Sequence, residues 1–195
     1  MGNATVSVPP DLARVDIGVV TQSATAQDAT AGNATRASAV LSALQGLVGS
    51  NTNIKTIAYS LSPVYNSPPS GQSPAIIGYM VTNTVEVTLF DLTQIGKVIE
   101  TAIPSGATRV QDISFDLQDR NPVIAQALKT AATTARGKAD AIAVGLRVQT
   151  GAVLRASEGV NVASPQLGVA TPSTPVETGL VVVQASVTLE VAIAP

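Results

Sequence analysis

Three aspartates in one short segment of the second half are the strongest candidates for chemistry. If this segment is a strand, Asp112 and Asp116 point the same way and Asp119 follows just beyond. Carboxylate oxygens so arranged suit a hard cation, and a pair of carboxylates held about 5 to 9.5 Å apart is what a glycoside hydrolase requires. The alternative, which we favour, is a solvated sheet face.

Two other groupings carry chemical signals. Thr134 and Lys138 stand one turn apart in a predicted helix and pair a hydroxyl with an amine, but a surface contact is the favoured interpretation. Tyrosine offers a flat apolar face with a polar tip, so Tyr65 and Tyr79, with Tyr59, are candidates for a ligand groove between the halves of the chain. Because all three fall on strand faces predicted to be buried, we favour core packing.

Several classes of site are excluded by residue type. The chain has no His and no Cys, which rules out Ser-His-Asp and Cys-His triads and zinc sites built on imidazole or thiolate. Gly137-Lys138-Ala139 lacks the other residues of a phosphate-binding loop, and no G-x-G-x-x-G occurs. We therefore predict no catalytic residue, no cofactor and no metal site, and expect the protein not to be an enzyme.

Net charge and hydropathy limit the kinds of partner that we expect for this protein. The net charge is −2, and the eleven basic residues are scattered, so a nucleic-acid partner is not expected. No run of eighteen apolar residues occurs, and the start has no charged segment followed by an apolar one. We expect a protein that does not span a membrane, in which lipid anchoring would require a segment absent from this sequence.

Composition predicts a globular protein with a core of small side chains. The 195 residues are 45% apolar and 12% charged. Most of the apolar residues are Ala and Val, with two Phe, three Tyr and no Trp. Thin packing of helices on sheets is the arrangement that such side chains favour.

The first half reads as strand, helix and two long strands. Strands are predicted at Thr5–Val8 and around Val15–Val19, followed by a helix that begins at Thr25 and ends at Gly49. The two long strands carry their larger side chains on single faces, and an exposed Pro-rich loop over 66–74 separates them. These face residues are Ile57, Tyr59, Leu61 and Tyr65 in one strand, and Ile77, Tyr79, Val81, Val85, Val87 and Leu89 in the other.

The second half repeats this order. A strand at Ile113–Leu117 precedes a helix that begins at Asn121-Pro122, and strands near 149–159 and 179–193 flank a second exposed loop over 161–178. One apolar stripe along the helix is predicted to face the sheet. It consists of Ile124, Ala127, Leu128, Ala131, Ala135, Ala139, Ile142 and Leu146.

These elements predict an α+β fold made of two fused β-α-β-β repeats. The halves span residues 4–90 and 108–194, a helix over 91–103 links them, and antiparallel-rich sheets pack against Ala-rich helices. We expect one domain over 1–195.

A set of motif residues, in order along the chain, resembles the SIMPL domain family, also called DUF541. The set comprises Pro10-Asp11, Asn33, Thr56, Gly78-Tyr79, Gly106-Ala107, Phe115 and Ala135-Arg136-Gly137-Lys138-Ala139. The resemblance implies a bacterial protein exported to the periplasm or associated with the outer membrane. Some members are lipoproteins, some form ring-shaped oligomers and some are linked to oxidative-stress protection. The family has no established catalytic residues, so the matched positions are expected to be structural.

Three hypotheses for function follow. The favoured one is a non-enzymatic protein of the cell envelope that acts through self-assembly as a homo-oligomer or by binding an envelope component, with the loops at 66–74 and 161–178 as contact surfaces. The second is a module that binds a small ligand or a glycan in a groove near Tyr65 and Tyr79. The third is a carboxylate-based hydrolase that uses Asp112 and Asp116.

Overall fold

The computed structural model of this protein describes residues 1–49, 53–67, 73–168 and 178–194. The described chain forms three α-helices, eight strands and a 3-10 turn at Leu92–Gln94. In chain order the helices and strands are β1 (Gly2–Val8), β2 (Leu12–Ser23), α1 (Ala26–Val48), β3 (Ile54–Tyr65), β4 (Ile76–Leu89), α2 (Ile95–Ala102), β5 (Arg109–Asp116), α3 (Asn121–Gly145), β6 (Gln149–Ala163), β7 (Gln166–Gly168) and β8 (Val181–Ala194).

The fold is α+β, as predicted, and it divides into two compact units. Unit 1 consists of Met1–Pro10, Asp116–Pro165 and Thr178–Pro195, and unit 2 consists of Asp11–Phe115 and Gln166–Glu177. The chain therefore enters unit 1 with β1 and returns to it with α3.

Unit 2 is a five-stranded sheet in the order β3-β4-β2-β5-β7 with α1 on one face. Its core joins Val40 and Leu44 of α1 to alternating Val and Ile residues of β2 and β4. In β3 only Ile54 is buried, so α1 covers the sheet as far as β4 and leaves the rest of β3 exposed.

The ends of α1 are set by the residues that the sequence indicates. The Thr25 hydroxyl oxygen accepts a hydrogen bond from the Asp28 backbone N–H at 3.1 Å, and the Asp28 carboxylate accepts one from the Thr25 hydroxyl at 2.8 Å. At the other end Gly49 adopts φ 72° and donates to the Gln45 carbonyl, a left-handed cap that glycine permits at little cost. These local signals confirm the predicted helix.

Unit 1 is a three-stranded antiparallel sheet in the order β1-β8-β6 with α3 on one face. Ala127 and Ala131 of α3 pack against Val183, Ala185 and Val187 of β8. In unit 2, β4 lies between β3 and β2. In unit 1, β8 lies between β6 and β1, so β1 occupies the position next to β8 that β2 occupies next to β4.

The helix α3 approaches β1 closely enough to require glycine at position 2. A Cβ atom on Gly2 would lie 2.1 Å from the Ala131 carbonyl oxygen and 2.3 Å from the Ala135 backbone nitrogen. Both are backbone atoms, which cannot rotate away as the end of a side chain can. This contact places α3 over β1 and β8 and leaves most of β6 exposed.

Two predicted boundaries and one predicted face are wrong. The loop predicted over 161–178 is interrupted by structure, because β6 continues to Ala163 and the short β7 pairs with Asp112–Ser114 of β5. The apolar stripe of α3 is buried at Ala127, Ala131 and Ala135, whereas Ile142 is 63% exposed and Leu146 is exposed as well. Thr150 of β6 and Val191 and Ile193 of β8 lie beside that end of the helix, but they leave Ile142 and Leu146 largely exposed. Residues 68–72 and 169–177 of the two loops lie outside the described residues.

Replacing Gly2 by Ala tests the close approach. The added methyl group must push α3 away from β1, so we expect Gly2→Ala to lower the free energy of unfolding by about 1–3 kcal/mol. Gly137→Ala on the exposed side of α3, where a Cβ meets nothing within 4 Å, is the matched control and should raise stability by about 0.5–1 kcal/mol. Urea unfolding midpoints measure both, and equal effects of the two changes would contradict the close approach.

Candidate functional site

The three aspartates that the sequence singled out do not act as one group. Asp116 is only 5% exposed, and its two oxygens accept hydrogen bonds from Arg120 Nε at 2.8 Å and Nη2 at 2.6 Å. This bond raises the pKa of Arg120. Asp119 accepts from the Asn121 backbone N–H at the start of α3. The expectation of a solvated face is therefore wrong for Asp116, which is committed to a buried bidentate pair.

Asp112 lies in a different acidic neighbourhood, in unit 2. Burial raises the pKa of Asp16, the carboxylates of Glu86 and Asp112 raise it further, and Lys55 opposes the rise. The Lys55 ammonium forms an ion pair with Glu86 at 2.9 Å. Over the described ranges, no three His, Cys, Asp or Glu side chains are grouped in a way that could hold a metal ion.

Thr134 and Lys138 do not pair. The Thr134 hydroxyl donates to the Thr130 carbonyl at 2.9 Å within α3, and Lys138 is exposed. The polar contacts belong instead to the neighbouring Arg136, a motif residue. Its guanidinium donates to Asp140 Oδ1 at 3.0 Å, to the Gly151 carbonyl at 2.9 Å and to the Thr150 hydroxyl at 2.8 Å. Arg136 thereby fastens the second half of α3 to the beginning of β6.

The prediction that the tyrosines pack in the core is wrong. Tyr59 is 55% exposed, Tyr65 is similarly exposed and Tyr79 is half-buried. By register Tyr79 lies opposite Pro63 and Tyr65 lies opposite Ile76, with an irregularity between Val64 and Tyr65, so both tyrosines lie on the β3–β4 hairpin. The sequence could not show that α1 stops short of these residues.

The remaining motif residues occupy varied environments. Asn33 is fully buried in α1, and its amide donates to the Val19 carbonyl at 2.9 Å. A Cβ on Gly78 would lie 2.8 Å from the Ser23 carbonyl oxygen, and Phe115 is fully buried. Pro10 is buried, whereas Asp11 and Thr56 are exposed.

One surface feature is an exposed apolar region that the sequence did not predict. We call residues 57–65 and 76–80 the β3–β4 arm. Large apolar side chains with more than a third of their surface exposed lie along it. They are Ile57, Tyr59, Leu61, Tyr65, Ile76, Ile77 and Met80. The side chains point to both faces of the hairpin, and exposed apolar side chains in such number make the arm a candidate interaction surface.

Length and hydropathy decide whether a helix can span a membrane. Within the described residues, none is both long and apolar enough to cross a bilayer.

Fold and surface together define an α+β protein with two helix-covered sheets and an apolar arm. The chain belongs to the SIMPL family, whose model matches residues 1–191 and is described as a protein of unknown function (DUF541). This confirms the resemblance carried by the motif residues.

Two relatives are known by the same name, the 26 kDa periplasmic immunogenic protein, one from Brucella melitensis biotype 1 and one from Brucella abortus strain S19. Each is 26% identical to this chain over 160 residues, which are 80% of this chain. The match spans 64% of the length of each relative.

Arg136→Lys tests the network at the start of β6. Lysine cannot reach three acceptors in the planar geometry of a guanidinium, so we expect the free energy of unfolding to fall by about 1–2 kcal/mol. Lys138→Arg, the reverse change on the exposed side of the same helix, should alter it by less than about 0.5 kcal/mol. Thermal and urea unfolding would contradict a fastening role for Arg136 if the two variants behaved alike.

Asp16→Asn tests the acidic neighbourhood through pH. Because the pKa of folded Asp16 is raised above its ordinary value of 3.8, ionisation of this group costs stability as pH increases from about 4 through the folded pKa. We expect the variant to be more stable than wild type at pH 7, by less than about 1 kcal/mol for a partly buried group, and equally stable near pH 3. Glu100→Gln, at an exposed carboxylate, is the control. A variant less stable than wild type at pH 7 would contradict this assignment.

Proposed function

We propose that this protein is a non-enzymatic component of the bacterial cell envelope that acts by self-assembly or by binding another envelope component. An extracytoplasmic location is supported by membership of the SIMPL family and by the periplasmic designation of the two Brucella relatives. The exposed apolar arm is the observation that carries the proposal, because water contact with so many large apolar side chains is unfavourable.

The arm provides a surface suited to association. Tyr59 and Leu61 lie opposite Asn83 and Val81 and therefore share one face, while Ser60 and Ser62 lie on the other. Burying this face against a second copy would remove apolar surface from water without placing a charge in the contact. Aromatic and apolar side chains at the centre of an interface commonly supply most of its binding energy.

The alternatives receive less support. A ligand site at Tyr65 and Tyr79 uses the same exposed face and stays a prediction. A hydrolase that uses Asp116 requires a free carboxylate, whereas both oxygens of Asp116 are engaged by Arg120.

Self-assembly is tested with the double variant Tyr59→Ser, Leu61→Ser. We expect wild type to sediment as an oligomer at concentrations where the variant sediments as a monomer, because the change removes two large exposed side chains from the apolar face and replaces no buried residue. The matched control is Ser60→Ala, Ser62→Ala on the opposite face of β3, which should assemble as wild type does. Wild type that remains monomeric at every concentration would contradict self-assembly, and equal assembly by all three proteins would exclude the arm as the contact.

A further inference from the structure

A groove runs between α3 and β6 in unit 1, remote in sequence from the β3–β4 arm. It has a volume of about 450 Å³. Leu128, Lys129 and Ala132 form the helix side, Ala156 and Glu158 form the strand side, and Val187 of β8 lies between them. α3 packs mainly against β1 and β8, so most of β6 beyond β8 stays exposed, although Val162 of β6 packs against the α3 core.

The strand that borders this groove has an open backbone edge. β6 is the last strand of the order β1-β8-β6, and within the described chain it pairs with β8 alone. From Arg155 to Ala163 its register with β8 is uninterrupted, and the irregularities lie before Arg155. Between Arg155 and Ala163 this edge carries two charged side chains, Arg155 and Glu158, and it contains no Pro, so no residue of that stretch lacks a backbone N–H.

An open edge beside a groove is the arrangement that accepts an added strand. An extended peptide that pairs with β6 directs every second side chain to the helix side of the sheet, where the groove lies. The main-chain hydrogen bonds then supply affinity, and the groove selects side chains. Nine residues of β6 at about 3.3 Å each give an edge about 30 Å long.

The lining of the groove indicates the chemistry of the segment. Ala132 and Ala156 leave room for side chains of modest size, and the charges of Lys129 and Glu158 oppose each other, so the groove is neutral as a whole. A charged side chain placed there would lose its hydration without gaining an unopposed partner. Small uncharged side chains such as Val and Thr fit this surface.

We infer that β6 and α3 form a binding site for an extended, uncharged segment of another protein, which adds to the unit 1 sheet as a fourth strand. This goes beyond the proposed function, because it concerns a different strand, a different unit and a partner bound through its backbone. The arm in unit 2 presents apolar side chains, whereas the β6 site presents backbone donors and acceptors with a groove beside them.

The probe for this site is a fluorescent, end-blocked nonapeptide in which Val and Thr alternate. We expect it to bind the intact protein, as measured by fluorescence anisotropy, and to slow hydrogen exchange at the β6 amides that do not bond to β8. The same peptide with Pro at its centre should bind at least tenfold more weakly, since Pro removes a ladder donor and cannot hold the strand geometry.

A matched pair of variants locates the site. Ala132→Trp fills the groove and should weaken binding at least tenfold. Ala141→Trp makes the same change on the exposed opposite side of α3, since nine residues at about 100° each bring it about half a turn round, and should bind the probe as wild type does. The Tyr59→Ser, Leu61→Ser variant should also bind it unchanged.

Several results would overturn the inference. Absence of probe binding would do so, as would equal binding by the two Trp variants or unchanged exchange at β6. Protection of the β6 amides that rises with protein concentration and without peptide would show that a second copy occupies the edge instead. Loss of assembly in the arm variant together with intact probe binding separates the proposed function from this inference.

Discussion

A helix is wide enough to cover about two strands, and this constraint shapes both units of the protein. An α-helix with its side chains is about 10 Å across, and strands are about 4.8 Å apart. In unit 2 the helix α1 packs on β2 and β4, with α2 added to the same core, and in unit 1 the helix α3 packs on β1 and β8. Most of the long strands β3 and β6 therefore stays exposed, apart from Ile54 and Val162. Both surfaces to which we assign binding arise from this shortage of cover.

Because the core consists largely of Ala and Val, polar contacts are needed to fix the position of each helix on its sheet. Small side chains make shallow ridges, so an Ala-rich helix could slide along a Val-rich sheet with little loss of packing. Hydrogen bonds with strict geometry restrict this sliding. Asn33 bonds to the Val19 carbonyl, and Arg136 bonds to Thr150 and Gly151. Two of the motif residues thus join a helix to a strand of its own unit.

Much of the fold could be predicted from the sequence because its signals are local. Thr25 and Gly49 bound α1 through contacts within one turn, and the alternation in β2, β4 and β8 reports which face is apolar. The signals failed where the outcome depends on distant residues. Alternation assigns Tyr59, and helical spacing assigns Ile142, to an apolar face, but neither pattern can tell whether another element covers that face. The short β7 is defined by its pairing with β5, far away in the sequence, and the apolar arm was missed for the same reason.

The pairing of β1 with β8 has a consequence for the order in which the chain folds. Gly2 pairs with Val187, so unit 1 joins segments from nearly opposite ends of the sequence. Unit 2 is formed mostly by the continuous stretch from Asp11 to Phe115. Contacts between residues that are distant in sequence form slowly, so we expect unit 2 to fold faster than unit 1. β1 cannot pair until β8 has been synthesised. The β1 strand is thus among the last to pair, and a polypeptide that is still being synthesised carries it unpaired until β8 has been made.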